Sequence, residues 1–273
     1  MQREALRALF VMCGMSTMLN PGLITSLIVG AVVGAASAYL GSIMILKRMA
    51  LVGDALSHVA LPGIGLALTF QLNPFLGAFT ALALGILLIW QIERRTSVPT
   101  EAIVGIIFTV ALSIGILVTP EPELLEALFG DIAKVSLADA AIAAVFSLLI
   151  FAVMVPIKDK LVLSLLSPDL AKSQRINIDR LNLIFLTLVA VVVALGVKVA
   201  GTLLMGSLVV IPAAASKNLA RSFSGYGKIS LVFGVISAVA GILLASALHL
   251  PPGPLVVLSS ASVFLITLFL RRD

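Results

Sequence analysis

The sequence predicts an all-α integral membrane protein of about nine transmembrane helices, or eight if one short segment is re-entrant. Three observations carry this. Of the 273 residues 60% are hydrophobic and only 11% charged, with a mean hydropathy of +1.20. Apolar runs near the length that a helix needs to cross roughly 30 Å of hydrocarbon recur along the whole chain. The basic residues gather between those runs. Helices are required, since an open strand edge leaves backbone groups unpaired in lipid.

The runs come in order. Leu19 to Leu46 carries no charge, and Leu72 to Ile92, Ala102 to Pro120, Ala140 to Ile157, Leu181 to Val197, Val199 to Ser216, Ile229 to Leu248 and Pro254 to Leu270 follow. With no long polar stretch, residues 1–273 read as one integral membrane domain without a soluble module. The opening MQREALRALFVMCGM is too short for a span and lacks a small-residue cleavage site, so residues 1–18 read as an interfacial segment or as sequence before a later start at Met15 or Met18. The single cysteine, Cys13, excludes an intramolecular disulfide and a multi-thiolate metal site.

The net charge of +5 would suggest nucleic acid in a soluble protein; here the basic residues sit at helix ends, where they orient the chain, and no nucleic-acid partner is expected. Put the loops holding Lys47 and Arg48, Arg94 and Arg95, Lys158 to Arg180, Lys217 to Lys228, and Arg271 and Arg272 in the cytoplasm. Of the 18 Lys and Arg residues only Arg3, Arg7, Lys134 and Lys198 then lie elsewhere. This alternation needs a crossing between Arg48 and Leu72, so GDALSHVALPGIGLALTF becomes a span. The N-terminus falls outside, the C-terminus inside, and the acidic PEPELLEALFGD on the outer face.

That added span carries Asp54 and His58. Residues i and i+4 of a helix share a face, with Cβ atoms about 5–6 Å apart, so the pair can hold one ion or each other. Pro62, a turn further, cannot donate to the His58 carbonyl and is expected to kink the helix and free that oxygen; Pro212 is a second kink candidate. Carboxylate, imidazole and a spare carbonyl suit a divalent transition metal. The plain alternative is a buried Asp–His hydrogen bond that only glues helices. Ionisable residues in a membrane more often mark a pathway, and spacing does not separate metal from proton. His249 reads as an interfacial residue, Glu101 as an acid beside a helix N-terminus, and Lys198 as a snorkelling lysine.

Of the loops assigned to the cytoplasm, only Lys158 to Arg180 is long enough to hold structure. Ser167, Pro168 and Asp169 look like a helix start: a serine cap, proline in the first turn and an acid at the N-terminus. Small residues spaced by four, as at Gly30, Gly34 and Ala38, are expected to pack helices within one subunit, with a subunit interface as the second reading. No phosphate-binding GxxxxGK[ST] loop exists, because Gly227-Lys228 is followed by isoleucine. Any drive therefore comes from a partner or an ion gradient.

The stretches LKRMALVGDALSHVALPGIGLAL, EAIVGIIFTVALSIGIL, LLEALFGDIAKVS, VAGTLLMGSLVVIPAAAS and LPPGPLVVL, in this order from about residue 20 to 265, resemble the membrane permease of manganese, zinc and iron ABC importers. The resemblance implies a type II ABC importer-like permease fold in a prokaryotic cell membrane, with no enzymatic activity and no bound cofactor. It also implies a homodimer with the pathway between its subunits, cytoplasmic ABC ATPase subunits, and an extracellular metal-binding protein. The family's intramembrane ligands, in a DAxxHxxxPG-like motif, fall on Asp54 and His58. Its coupling helix to the ATPase falls on SPDLAKSQRI, with Ser167, Pro168, Asp169, Leu170 and Ala171 at its start. Here Ser167 stands where an aspartate is common and Arg175 where a glycine commonly stops the helix, so the easy left-handed stop is expected to be lost. Mn(II) and Zn(II) rank level as substrate, with Fe(II) third; the scarcity of histidine and thiols argues against copper. The readings outside this class are a proton-coupled secondary transporter using Asp54 and His58 as a relay, a structural scaffold, and an intramembrane enzyme, for which no nucleophile–base pair stands in the sequence.

Overall fold

The computed structural model describes residues 21–119, 136–200 and 202–270. The expectations for residues 1–18, the acidic stretch after Val118 and Lys134 fall outside them. Within the described residues the chain is helical: α1 (Pro21–Leu46), α2 (Val52–Thr69), α3 (Pro74–Arg95), α4 (Thr100–Val118), α5 (Leu137–Leu166), the short α6 (Pro168–Ser173), α7 (Ile178–Ala200), α8 (Thr202–Leu219), α9 (Phe223–Leu248) and α10 (Pro252–Phe269). Eight of the nine long helices are apolar and long enough to cross a membrane, α2 among them.

Local chemistry fixes where several of them begin. Asn73 accepts from the Phe75 N–H at 2.9 Å ahead of Pro74, and Ser136 and Asp139 form a reciprocal capping box on α5. Ser222 caps Gly225 on α9 at 3.1 Å. The Asn177 side chain accepts from Arg180 N at 3.0 Å on α7. Each side-chain oxygen satisfies a first-turn donor that has no intrahelical partner.

Four helix ends turn on a residue other than glycine. Arg48, Gln71, Arg175 and His249 all adopt left-handed backbone, with φ of 58°, 54°, 59° and 54°. At Arg175 the paired bonds of a Schellman stop are present: Ile176 N to Ala171 O at 3.0 Å and Arg175 N to Lys172 O at 2.9 Å. The expectation that arginine removes this stop is thus corrected. Residue 175 takes the glycine conformation and bears its cost, about 1 kcal/mol or somewhat more.

The helices are joined at points where side chains vanish. In lipid there is little hydrophobic force between helices, so association depends on close packing. A Cβ on Gly34 would stand 2.7 Å from the Gly234 carbonyl oxygen and 3.1 Å from Ala238 Cβ. This places the Gly30–Gly34–Ala38 face of α1 against α9 in the same chain, as the spacing predicts. A second crossing of the same kind joins α2 to α3. There Gly63 and Gly77 each back onto the other's carbonyl, and a Cβ at either would stand 2.6 Å from Ala81 or Ala67 of the opposite helix.

Candidate functional site

The site is built on α2, which is buried along most of its length. Asp54 occupies its first turn, His58 lies one turn on at 7% exposure, and Pro62 lies one turn further inside the unbroken helix. The three share one face. Pro62 has no N–H, so the His58 carbonyl loses its usual helical donor.

Two other helices close the site. Gly206 of α8 lies directly on Asp54: a Cβ there would stand 2.7 Å from Asp54 Oδ1 and 2.8 Å from its Cα. Only glycine lets α8 come this near the carboxylate. The Ser57 hydroxyl lies 2.6 Å from the carbonyl oxygens of both Asp54 and Thr202, pinning α2 to the start of α8. From α4, Phe108 presents its ring edge-on to the His58 imidazole, with centroids 5.2 Å apart. Pro62 seats against Gly115 of the same helix, where a Cβ would meet its Cδ at 3.3 Å.

No hydrogen bond joins Asp54 to His58 among the described residues, and His58 Nδ1 is buried without any partner. The alternative in which the pair simply bonds itself is therefore not the arrangement adopted. A buried nitrogen left unpaired costs about 1–3 kcal/mol; a cation or a proton donor arriving beside it would recover that. Carboxylate oxygen and imidazole nitrogen are the donors preferred by Mn(II), Fe(II) and Zn(II). No cluster of three or more His, Cys, Asp and Glu exists among the described residues. An ion here would complete its shell with water, backbone oxygen or groups from beyond these residues.

The remaining expected residues lie apart from this site. Pro212 is buried in α8, a turn and a half beyond Gly206. Ser167, Pro168, Asp169, Leu170 and Ala171 form α6 and its cap, between α5 and α7. Ser167 Oγ accepts from Leu170 N at 3.4 Å. Ala171 is fully buried and anchors the helix, while Pro168, Asp169 and Leu170 point outward, Leu170 with 48% exposure. Between α5, the turn after α6 and the start of α7, an open cleft of about 510 Å³ is lined by Asp159, Lys160, Arg175 and Arg180 among others. His249 is exposed at the end of α9 and Glu101 at the start of α4. Gly206, Ser57, Thr202 and Phe108 were not legible as site residues. The DAxxHxxxPG spacing shows one helix; its neighbours come from up to about 150 residues away in sequence.

Comparison with known proteins extends these observations. The model of the ABC 3 transport family matches residues 20–271. The chain is 30% identical over 256 residues to the high-affinity zinc uptake system membrane protein ZnuB of Haemophilus influenzae, covering 92% of this chain and 98% of that one. It is 28% identical over 256 residues to the manganese import system permease protein ScaB of Streptococcus gordonii, covering 92% and 91%. Its fold is similar to that of PsaBC from Streptococcus pneumoniae, solved in complex with Fab, with a TM-score of 0.83, 26% identity and 95% of each chain covered.

Proposed function

Because this chain belongs to the ABC 3 transport family, we propose that it is the membrane-spanning permease subunit of an ATP-driven importer of manganese or zinc, with iron third. The chain is a transport subunit and not an enzyme, a multi-pass membrane permease. Zinc and manganese in the names of its relatives support the substrate class. The observation that carries the role of α2 is the buried, unpartnered His58 Nδ1 one helical turn from Asp54.

The ion passes at Asp54 and His58 in each of two subunits of a homodimer, entering from an extracellular binding protein. Two protein ligands per subunit are enough to hold a partly hydrated ion and few enough to release it. Water and the His58 carbonyl freed by Pro62 supply the rest. Cytoplasmic ATPases act on the outward face of α6, where Leu170 offers an apolar contact and Asp169 a charge. Their closure swings the helices between outward-open and inward-open states. The termini take the orientation that the basic loops require, N-terminus outside and C-terminus in the cytoplasm.

The test is elemental analysis of manganese, zinc and iron in cells expressing the chain with its ATPase and binding protein, as wild type, Asp54→Asn and His58→Ala. Wild type should raise one metal, and both variants should abolish that rise at equal protein level. Variants that accumulate the metal as well as wild type sink the site. A wild type that raises none sinks the importer and leaves a proton relay as the role of the pair.

A further inference from the structure

The turn before Asp54 is braced from an unexpected direction. After α1 the chain stops on the left-handed Arg48, with Met49 N to Met44 O at 2.8 Å, and re-enters a helix through Val52 N to Met49 O at 3.1 Å. These bonds make Lys47 to Asp54 one short, stiff unit. Its side-chain tie is Lys47, whose Nζ lies 2.6 Å from Asn182 Oδ1 and 4.9 Å from the centroid of the buried Phe185 ring. Asn182 and Phe185 stand one turn apart on α7.

The start of α7 is the chain segment that follows α6. It is also held from a third side, by α3: Trp90 Nε1 donates to Asp179 O at 3.2 Å, and Arg94 pairs with the Asp179 carboxylate at 3.5 Å. A displacement of α6 therefore reaches the Asp54 turn by a route of few parts: the Schellman stop at Arg175, the Asn177 cap, Asn182 and Lys47.

Lysine is a costly choice for this tie. Its ammonium is partly buried and bonded to a neutral amide; Glu93 of α3 is near, but accepts from Thr100 Oγ1 at 2.9 Å. Burial pushes the Lys47 amine down to about 8, with the Glu93 charge opposing. A methionine would pack the same space over Phe185 without that cost. What the amine adds is a directional bond between two segments that must move together.

Resting on the importer reading above, we infer that Lys47 is a positioning residue for transport: through its hydrogen bond to Asn182 it couples the displacement of α6 to the turn that carries Asp54.

The experiment uses the complete importer in vesicles, measuring metal ions moved per ATP hydrolysed from pH 6.5 to 9.5. Lys47→Met should lower that ratio about tenfold or more at pH 7, the loss of one charge-assisted bond, with metal binding to the permease retained. In wild type the ratio should fall as pH rises through about 8, where Lys47 loses its charge. Asn182→Asp keeps the tie with a carboxylate, holds the amine protonated, and should move that alkaline limb upward by about a unit or more. The other charges around the tie, Arg48 on the same turn, Glu93 and Arg94 on α3 and Asp179 on α7, are unaltered in both variants. A purely structural lysine would leave the limb where it is. An unchanged ratio in Lys47→Met, or an unmoved limb in Asn182→Asp, overturns the inference while the importer stands. A wild-type complex that moves no metal overturns both.

Discussion

The crossing of α1 with α9 and the crossing of α2 with α3 use the same device and serve different ends. In each, a Gly-x-x-x-Ala face meets its like, Gly34 and Ala38 against Gly234 and Ala238, Gly63 and Ala67 against Gly77 and Ala81. The first adds a bond across the helices, Ser230 Oγ donating to Ala38 O at 2.5 Å. The second adds a proline beside Gly63 and, two turns back, a carboxylate and an imidazole without mutual bonding. One crossing carries no carboxylate or imidazole, only hydroxyls such as Ser37 and Ser237, and is a frame. The other holds a buried imidazole nitrogen without a partner and a carbonyl that Pro62 deprives of its usual donor.

That difference can be tested by damaging each crossing alone. The largest effect is expected from Gly63→Val, whose methyls meet a main-chain oxygen that cannot rotate aside; about 3 kcal/mol of folding stability or more should be lost, read as a fall in thermal midpoint in detergent. Gly34→Val should cost as much stability, but a residual folded fraction should transport metal at the wild-type ratio per ATP, whereas that of Gly63→Val should not. Equal ratios would mean that the two crossings are both mere frame. Next in size, Ser230→Ala should cost about 1 kcal/mol with transport per molecule unaltered. A loss of transport would bring α9 into the pathway.

Smaller effects fall on the turns. Lys47 has its proton affinity lowered on folding, to about 8 from 10.5. Below pH 8 both folded and unfolded chains hold the proton, and the folded chain bears the full burial cost. Between 8 and 10.5 it sheds the proton first, so stability rises with pH in that window. Thermal midpoints should show this rise in wild type and lose it in Lys47→Met. The same window in which transport is expected to weaken is one in which the fold tightens. Last, Arg175→Gly should stabilise by about 1 kcal/mol, visible as slower exchange of amide hydrogens around α6.

Much of this was legible from sequence because the signals are local. Apolar runs gave the spans, and Ser167-Pro168 gave the start of α6. The span holding Asp54 was reached through charge alternation, since its own two polar residues argue against it. The resemblance then named the family. What stayed hidden was relational. Nothing near Gly206 says that it lies on Asp54, and nothing near Asn182 says that it faces Lys47, since each contact joins segments more than 130 residues apart. The second Gly-x-x-x-Ala crossing was overlooked because attention in that stretch went to the kink expected at Pro62, when the tight approach of α3 is what Gly63 serves. Arg175 misled for a different reason: residue preference predicts what a stop usually contains, while the Schellman bonds and the burial of Ala171 decide that one forms.

The four left-handed helix ends carry a consequence for how this protein can change. At positions 48, 71, 175 and 249 a new residue alters a backbone preference worth on the order of 1 kcal/mol, and the protein already carries two arginines, a glutamine and a histidine there. At 34, 63, 77 and 234 any side chain must push aside a neighbouring main chain. Saturation mutagenesis should therefore find a wide alphabet at the first four positions and glycine alone at the second. Glycine, elsewhere the residue of turns, is here the residue of contact, and the freedom of this chain to vary lies at its turns.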